Sequence, residues 1–207
     1  MNNLIIGTPR SGTFNLYNSI VENPGNSGIS EPFFNYFDRG HATYSEFKKE
    51  LPNLIDKSNN NFTIKTISVQ YPKDVSVESS LEFYEDLISY FDNIIFIDRR
   101  DMKSHFESWC NLVDKIKRFG GNKVNNKYVF NSNKVDLNNL DLFFKIKHQF
   151  LRIVEKFNGS IFYYEDLYFD KQEETYKQMN LEYTEVAKEY LNPSRKYRQD
   201  NTNSILI

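Results

Sequence analysis

The residues best suited to chemistry stand near the start of the chain, in "LIIGTPRSGTFNL" from Leu4 to Leu16. An apolar run enters the turn Gly7-Thr8-Pro9-Arg10-Ser11-Gly12, and helix-forming residues follow. A turn of this kind holds phosphate, because the N–H groups at a helix N-terminus converge and carry partial positive charge. Gly7 and Gly12 match the two glycines of the triphosphate loop G-x-x-x-x-G-K-[ST]. Thr13 stands where that loop has its lysine, and Phe14 where it has its metal-binding hydroxyl. The backbone cradle is kept, while two side chains of triphosphate chemistry are missing. Arg10 supplies charge inside the turn, and Ser11 and Thr13 supply hydroxyl donors. The combination predicts an anion handled without a metal ion.

A second stretch, "NIIFIDRRDMKSHFESW", repeats the logic. A buried strand ends in Arg99-Arg100-Asp101, and a helix follows that stacks Ser104 and Ser108 on one face. An arginine at the strand terminus (Arg100) and a serine on the next helix (Ser108) can grip one phosphate from two sides. The competing reading has Arg99 and Arg100 solvated and paired with Asp98 and Asp101.

These groups need elements to hold them. Asn3–Ile6, Ser27–Ser30, Phe62–Ser68, Asn93–Asp98 and Ser160–Tyr164 read as strands. Asn93–Asp98 is a continuous apolar run, the signature of a parallel sheet covered on both faces. Thr13–Glu22, Ser79–Phe91, Met102–Lys117, Leu140–Phe157, Gln172–Met179 and Thr184–Leu191 read as helices, the first closed by Asn23-Pro24-Gly25. In Leu140–Phe157 the residues Leu140, Phe143, Phe144, Ile146, Lys147, Phe150, Leu151 and Val154 define the inward side. The alternation predicts a three-layer α/β/α fold with a central parallel sheet, and such sheets bind ligands at the carboxyl ends of their strands. Gly120–Asn139 reads as a long, mobile loop, and Asn192–Ile207 as a polar tail with a basic cluster.

Bulk composition limits the partners. The chain has 207 residues, which suits one domain with a full-sized core. A net charge of −2 offers no global basic field, so nucleic acid is not expected. One cysteine, Cys110, excludes an internal disulfide, and no apolar run reaches a membrane span. The N-terminal apolar stretch is too short for a signal peptide, so the expectation is a cytoplasmic protein without a membrane partner. No Cys/His cluster has metal spacing, and no metal is expected. Oligomeric state is left open.

Together the two stretches resemble the sulfotransferases that use 3′-phosphoadenosine-5′-phosphosulfate (PAPS). Members of that family carry P-[KR]-S-G-T-T after the first strand, which holds the 5′-phosphosulfate; Pro9-Arg10-Ser11-Gly12-Thr13 match it, with Phe14 at the second threonine. In the family a later strand ends in Arg with Ser eight residues on, holding the 3′-phosphate, and Arg100 and Ser108 match that pair. "SEPFF" (Ser30–Phe34) is similar to a Glu-Pro element of bacterial members, and "YYEDL" (Tyr163–Leu167) to the end of the family's last strand. The wording is closer to bacterial and carbohydrate-type members. The resemblance spans residues 4 to 167 at motif level and implies one P-loop-NTPase-like sulfotransferase domain over residues 1–207.

It further implies metal-independent transfer of a sulfuryl group from PAPS to a hydroxyl or amine of a small-molecule or carbohydrate acceptor, with PAP as product. Arg10 and the Ser11–Thr13 amides would stabilise the leaving phosphate. Glu31 is the candidate general base, and His41 the second candidate. Glu31 also fits a surface carboxylate before a proline turn. Lys65, inside an apolar strand, either holds substrate or sulfuryl oxygens or extends its charge to water. Arg195 and Lys196 in "NPSRKYRQ" are the counterparts of the C-terminal cofactor loop. His105 and His148 read as packing or solvated side chains, Trp109 as core or an adenine contact, and Glu165 and Asp166 as capping a turn or tying the sheet edge to a basic residue. Phe33, Phe34, Tyr36 and Phe37 either line the acceptor pocket or fill the core. Two other functions fit the motifs less fully: a P-loop nucleotide or nucleoside kinase, and a non-catalytic binder of phosphorylated ligands.

Overall fold

The computed structural model describes residues 1–32, 43–59, 61–72, 74–76, 78–119 and 137–192. His41, Arg195, Lys196, the four aromatics after Pro32 and most of the 120–139 stretch lie outside the described residues.

Strands β1 (Asn3–Gly7), β2 (Ser27–Ser30), β3 (Phe62–Ile67), β4 (Asn93–Asp98) and β5 (Ile161–Tyr163) form one sheet in the order β2-β3-β1-β4-β5. Every neighbouring pair is parallel. The helices are α1 (Thr13–Val21), α2 (Tyr44–Lys57), α3 (Ser80–Ile88), α4 (Met102–Phe119), α5 (Leu137–Lys156), α6 (Gln172–Gln178) and α7 (Glu185–Leu191), with a π-helical turn at Asp166–Asp170.

Period-two alternation divides the core. Leu4 and Ile6 of β1, Ile64 of β3 and Phe96 of β4 meet Phe47 and Leu51 of α2, Tyr84 and Leu87 of α3, and Phe150 and Ile153 of α5. Ile5, Ile95 and Ile97 point to the other face, against Leu16 and Ile20 of α1, Tyr176 of α6 and Leu191 of α7. The result is a three-layer α/β arrangement with a five-stranded parallel sheet between helices. From β1 the chain first fills one side of the sheet with β2 and β3, then crosses to β4 and β5. The order therefore reverses beside β1, and a crevice is expected at that strand's carboxyl end.

Three features differ from the sequence reading. Helix α2 was not anticipated there, although Thr43 and Glu46 form a capping box at its start. Pro52 lies inside α2 on its exposed side, where water can satisfy the carbonyl that loses its partner. Helix α5 begins at Leu137, so the last three residues of the expected 120–139 loop are helical. On α5, Phe144 and Leu151 are half exposed, because the buried stripe runs through Phe143, Ile146, Lys147, Phe150, Ile153 and Val154.

Candidate functional site

The β1–α1 turn has a defined conformation. Ser11 N–H donates to the Thr8 carbonyl at 3.2 Å, which closes a four-residue turn with Pro9 and Arg10 in its centre. Proline fixes its own φ near −65°, and Arg10 has φ 68°, so the turn is type II. Position i+2 of such a turn favours glycine; an arginine there is strained by roughly 1–2 kcal/mol. The Ser11 hydroxyl also donates to Thr8 O (2.7 Å), so its proton is used inside the turn. Gly12 follows at φ 85°, and a Cβ there would lie 2.6 Å from Tyr164 and 2.8 Å from Tyr168. Tyr168 fixes this point by donating to the Gly12 carbonyl at 2.8 Å. Phe14, in the first turn of α1, is half exposed.

The two sequence motifs meet at one contact. Arg10 Nε donates to Ser108 Oγ at 3.1 Å, bridging the β1–α1 turn and α4. Arg100 goes elsewhere. Its guanidinium makes two bonds to the Asp166 carboxylate (2.7 and 3.3 Å) and lies over the Tyr163 ring. Glu165 accepts from the Arg100 and Asp101 amides at the start of α4. Asp166 thus occupies the arginine expected for a phosphate, and Arg100 and Ser108 share no described contact. Arg99 is buried, with its guanidinium 4.0 Å from the centre of the Tyr164 ring.

On the other side of Arg10, Glu31 follows β2 with φ 52°. Among the described non-glycine residues with positive φ, three are asparagines, which tolerate that region; the other two are Arg10 and Glu31. Strain of this kind concentrates where a side chain must be aimed. Glu31 Oε1 is paired with Lys65 Nζ, and Oε2 accepts from Gln70 Nε2 at 2.8 Å. Lys65 is buried, so it does not extend to water. Burial pushes the Glu31 carboxyl up, and the Lys65 ammonium and Gln70 amide pull it down by more, leaving it below the ordinary carboxylate value. Burial lowers Lys65, the Glu31 carboxylate raises it, and the charge of Arg10 lowers it again, for a net fall. Arg10, Lys65 and Glu31 therefore form one electrostatic group.

Beneath the turn is a buried polar set to which the sequence reading gave no role in the site. Asp98 closes β4, accepts from Thr8 Oγ1 at 2.7 Å and is paired with Lys147 of α5. Lys147 also reaches the Arg99 carbonyl at 3.4 Å. His105 of α4 has no exposure, and its Nε2 lies 2.6 Å from the Pro9 carbonyl. Ser68 Oγ, Arg99 Nε, His105 Nδ1 and Trp109 Nε1 are the buried side-chain polar atoms without a hydrogen-bond partner among the described residues. Ser68 and Arg99 directly follow the carboxyl ends of β3 and β4; His105 and Trp109 lie one turn apart on α4. Two of these atoms, on Ser68 and Arg99, thus lie at the strand ends where a parallel sheet binds ligands. Among the described residues no cluster of three His, Cys, Asp or Glu side chains is arranged to hold a metal ion, and no helix is long and apolar enough to cross a membrane.

Burial, with Lys147 and Arg99 close by, pushes the His105 imidazolium down to about 4, despite the Pro9 carbonyl and Asp98. The unfolded chain binds this proton at 6.5, so acid favours unfolding. The contribution of neutral His105 is complete above pH 6.5 and is lost as pH falls toward and through about 4. It amounts to on the order of 3 kcal/mol. Urea denaturation of wild type and His105→Gln across that range is expected to show a shallower acid decline in the variant. Identical declines would mean that His105 is not held neutral.

A scan against models of protein families finds none that matches this chain, and a search of curated proteins finds no match either.

Proposed function

We propose that this protein is a PAPS-dependent sulfotransferase on a P-loop-like variant of the three-layer fold, transferring a sulfuryl group to a hydroxyl or amine. The observation that carries the reading is the 3.1 Å contact between Arg10 and Ser108, because it joins at one point two motifs 98 residues apart. The donor set suits a phosphosulfate: a turn with helix N–H groups, a guanidinium, a buried lysine, and Ser68 and Arg99 at the carboxyl ends of β3 and β4. PAPS would supply an activated sulfur–oxygen bond to a phosphate leaving group. In the transfer that bond breaks and a new bond forms from sulfur to the acceptor atom. Arg10 and the amides at the start of α1 neutralise charge on the departing phosphate. Glu31 takes the acceptor's proton, and Lys65 holds Glu31 and the sulfuryl oxygens in register. Arg100 joins the 3′-phosphate contacts by exchanging Asp166 for the ligand.

A non-catalytic binder is favoured by one observation: both oxygens of Glu31 are already engaged, by Lys65 and Gln70. Isothermal titration with adenosine 3′,5′-bisphosphate in EDTA tests the binding half of the proposal. Micromolar or tighter binding without divalent metal is the expected result. Absence of that binding, with Mg²⁺-dependent binding of ATP instead, would replace the proposal with a P-loop kinase.

A further inference from the structure

We infer that His105 is a positioning residue for the anion-binding turn: it holds the Pro9–Arg10 peptide in the orientation that aims the Arg10 amide away from the interior. The inference rests on reading this turn as an anion cradle. A carbonyl oxygen only accepts, so the 2.6 Å contact requires His105 Nε2 to carry the proton and donate it to Pro9 O. Thr8 Oγ1 lies farther from Nε2, at 3.5 Å, and donates to Asp98 instead.

Type I and type II turns differ by a rotation of their middle peptide through roughly 150–170°. Here that peptide joins Pro9 to Arg10. Rotation to type I would take Arg10 out of its strained φ of 68°. It would also carry the Pro9 carbonyl away from His105. A trans peptide holds its C=O and N–H in opposite directions. With the carbonyl directed at the fully buried His105, the Arg10 N–H points away from the ring, while the Ser11 N–H stays bonded to Thr8 O and α1 begins at Thr13. One bond from the interior thus selects the turn that a non-glycine residue disfavours. The ring is itself held in place: Phe143 packs edge-on against it at 5.0 Å, and Asp98 Oδ1 lies 3.7 Å from Nδ1. His105 lies inside the second stretch without being one of its phosphate-gripping residues, and nothing in the proposed transfer chemistry uses it.

The test is a double-mutant cycle read with inorganic pyrophosphate, followed through the backbone amide shifts of Arg10, Ser11 and Gly12. His105→Leu is expected to weaken pyrophosphate binding by about tenfold, and His105→Gln, which keeps a donor, to recover most of it. In the Arg10→Gly background the turn has no strain to resist, so His105→Leu is expected to change affinity by less than about twofold. Equal losses in both backgrounds, or none in the wild-type background, would overturn the inference. If His105→Leu does not fold, the ring nitrogen shifts of the wild-type protein decide: a proton on Nδ1 and none on Nε2 overturns it. A wild-type turn that binds no pyrophosphate removes the cradle and this inference with it. Pyrophosphate binding without adenosine 3′,5′-bisphosphate binding removes only the cofactor proposed above.

Discussion

Glu31→Gln is expected to lower turnover by roughly 10²–10⁴-fold while leaving the affinity for adenosine 3′,5′-bisphosphate within about twofold. Glutamine keeps the shape of the side chain and can still accept from Lys65, but it cannot take a proton from an acceptor hydroxyl. The contacts proposed for the nucleotide are on the turn and on α4, so binding should survive. The depressed Glu31 carboxyl sharpens the expectation. The base is ionised at neutral pH, and the acid limb of the rate profile should fall below the ordinary carboxylate value of 4.5. A base held that low is weak, and both of its oxygens are occupied. Proton transfer therefore requires Lys65 or Gln70 to give up its oxygen, and an arriving anion offers Lys65 another partner. Single-turnover assays with labelled PAPS and a panel of hydroxyl and amine acceptors measure the effect. Turnover within about threefold of wild type would remove Glu31 from the chemistry.

What the sequence made legible follows from which interactions are local. Strand alternation and helix periodicity placed β1 through β5 and most helices within one to three residues, because burial on a fixed face leaves a pattern along the chain. Helix α2 was legible in principle: Phe47, Leu51 and Ile55 recur at helical spacing after the Thr43–Glu46 capping box, but Pro52 reads as a breaker. Whether Pro52 faces water is a tertiary fact. The site divides in the same way. Arg10, Ser11, Gly12 and Ser108 belong to short motifs and could be named. Asp98 and His105 stand in the second stretch, but they, Lys147 and Gln70 act through contacts 39 to 97 residues apart in sequence, and such contacts leave no local pattern. Lys147 carried the one available hint, a charge inside the apolar stripe of α5. The partner of Arg100 was also partly legible, since Glu165 and Asp166 were read as ties to a basic residue. Their capture of Arg100 itself depends on the π-helical turn that directs Asp166 back toward β4.

Lys147→Met is expected to be the most destabilising single change at the site, by about 3–5 kcal/mol at neutral pH. Methionine fills similar volume, so the loss reflects the buried charge rather than a cavity. Asp98 would keep the Thr8 hydroxyl but no cation, in a position where both members of the pair are 8% exposed. Against a typical domain stability of about 5–15 kcal/mol, such a variant folds marginally. Its acid decline should also become shallower. Lys147 is one of the charges that hold His105 low, and Asp98 Oδ1 lies 3.7 Å from His105 Nδ1. With Lys147 gone, a proton on Nδ1 supplies the missing cation while Nε2 keeps its bond to Pro9 O. Burial and Arg99 still lower His105, so its folded-state value is expected to rise from about 4 toward the unfolded 6.5, and the stability lost on acidification shrinks. Wild type should therefore weaken more steeply on acidification than Lys147→Met does. Asp98→Asn combined with Lys147→Met should steepen the decline again, because no buried anion is left to favour the imidazolium. Urea titrations of the three proteins between pH 8 and about 5 would separate these cases. Parallel pH curves for wild type and Lys147→Met would show that Asp98 and His105 are not electrostatically joined beneath the turn.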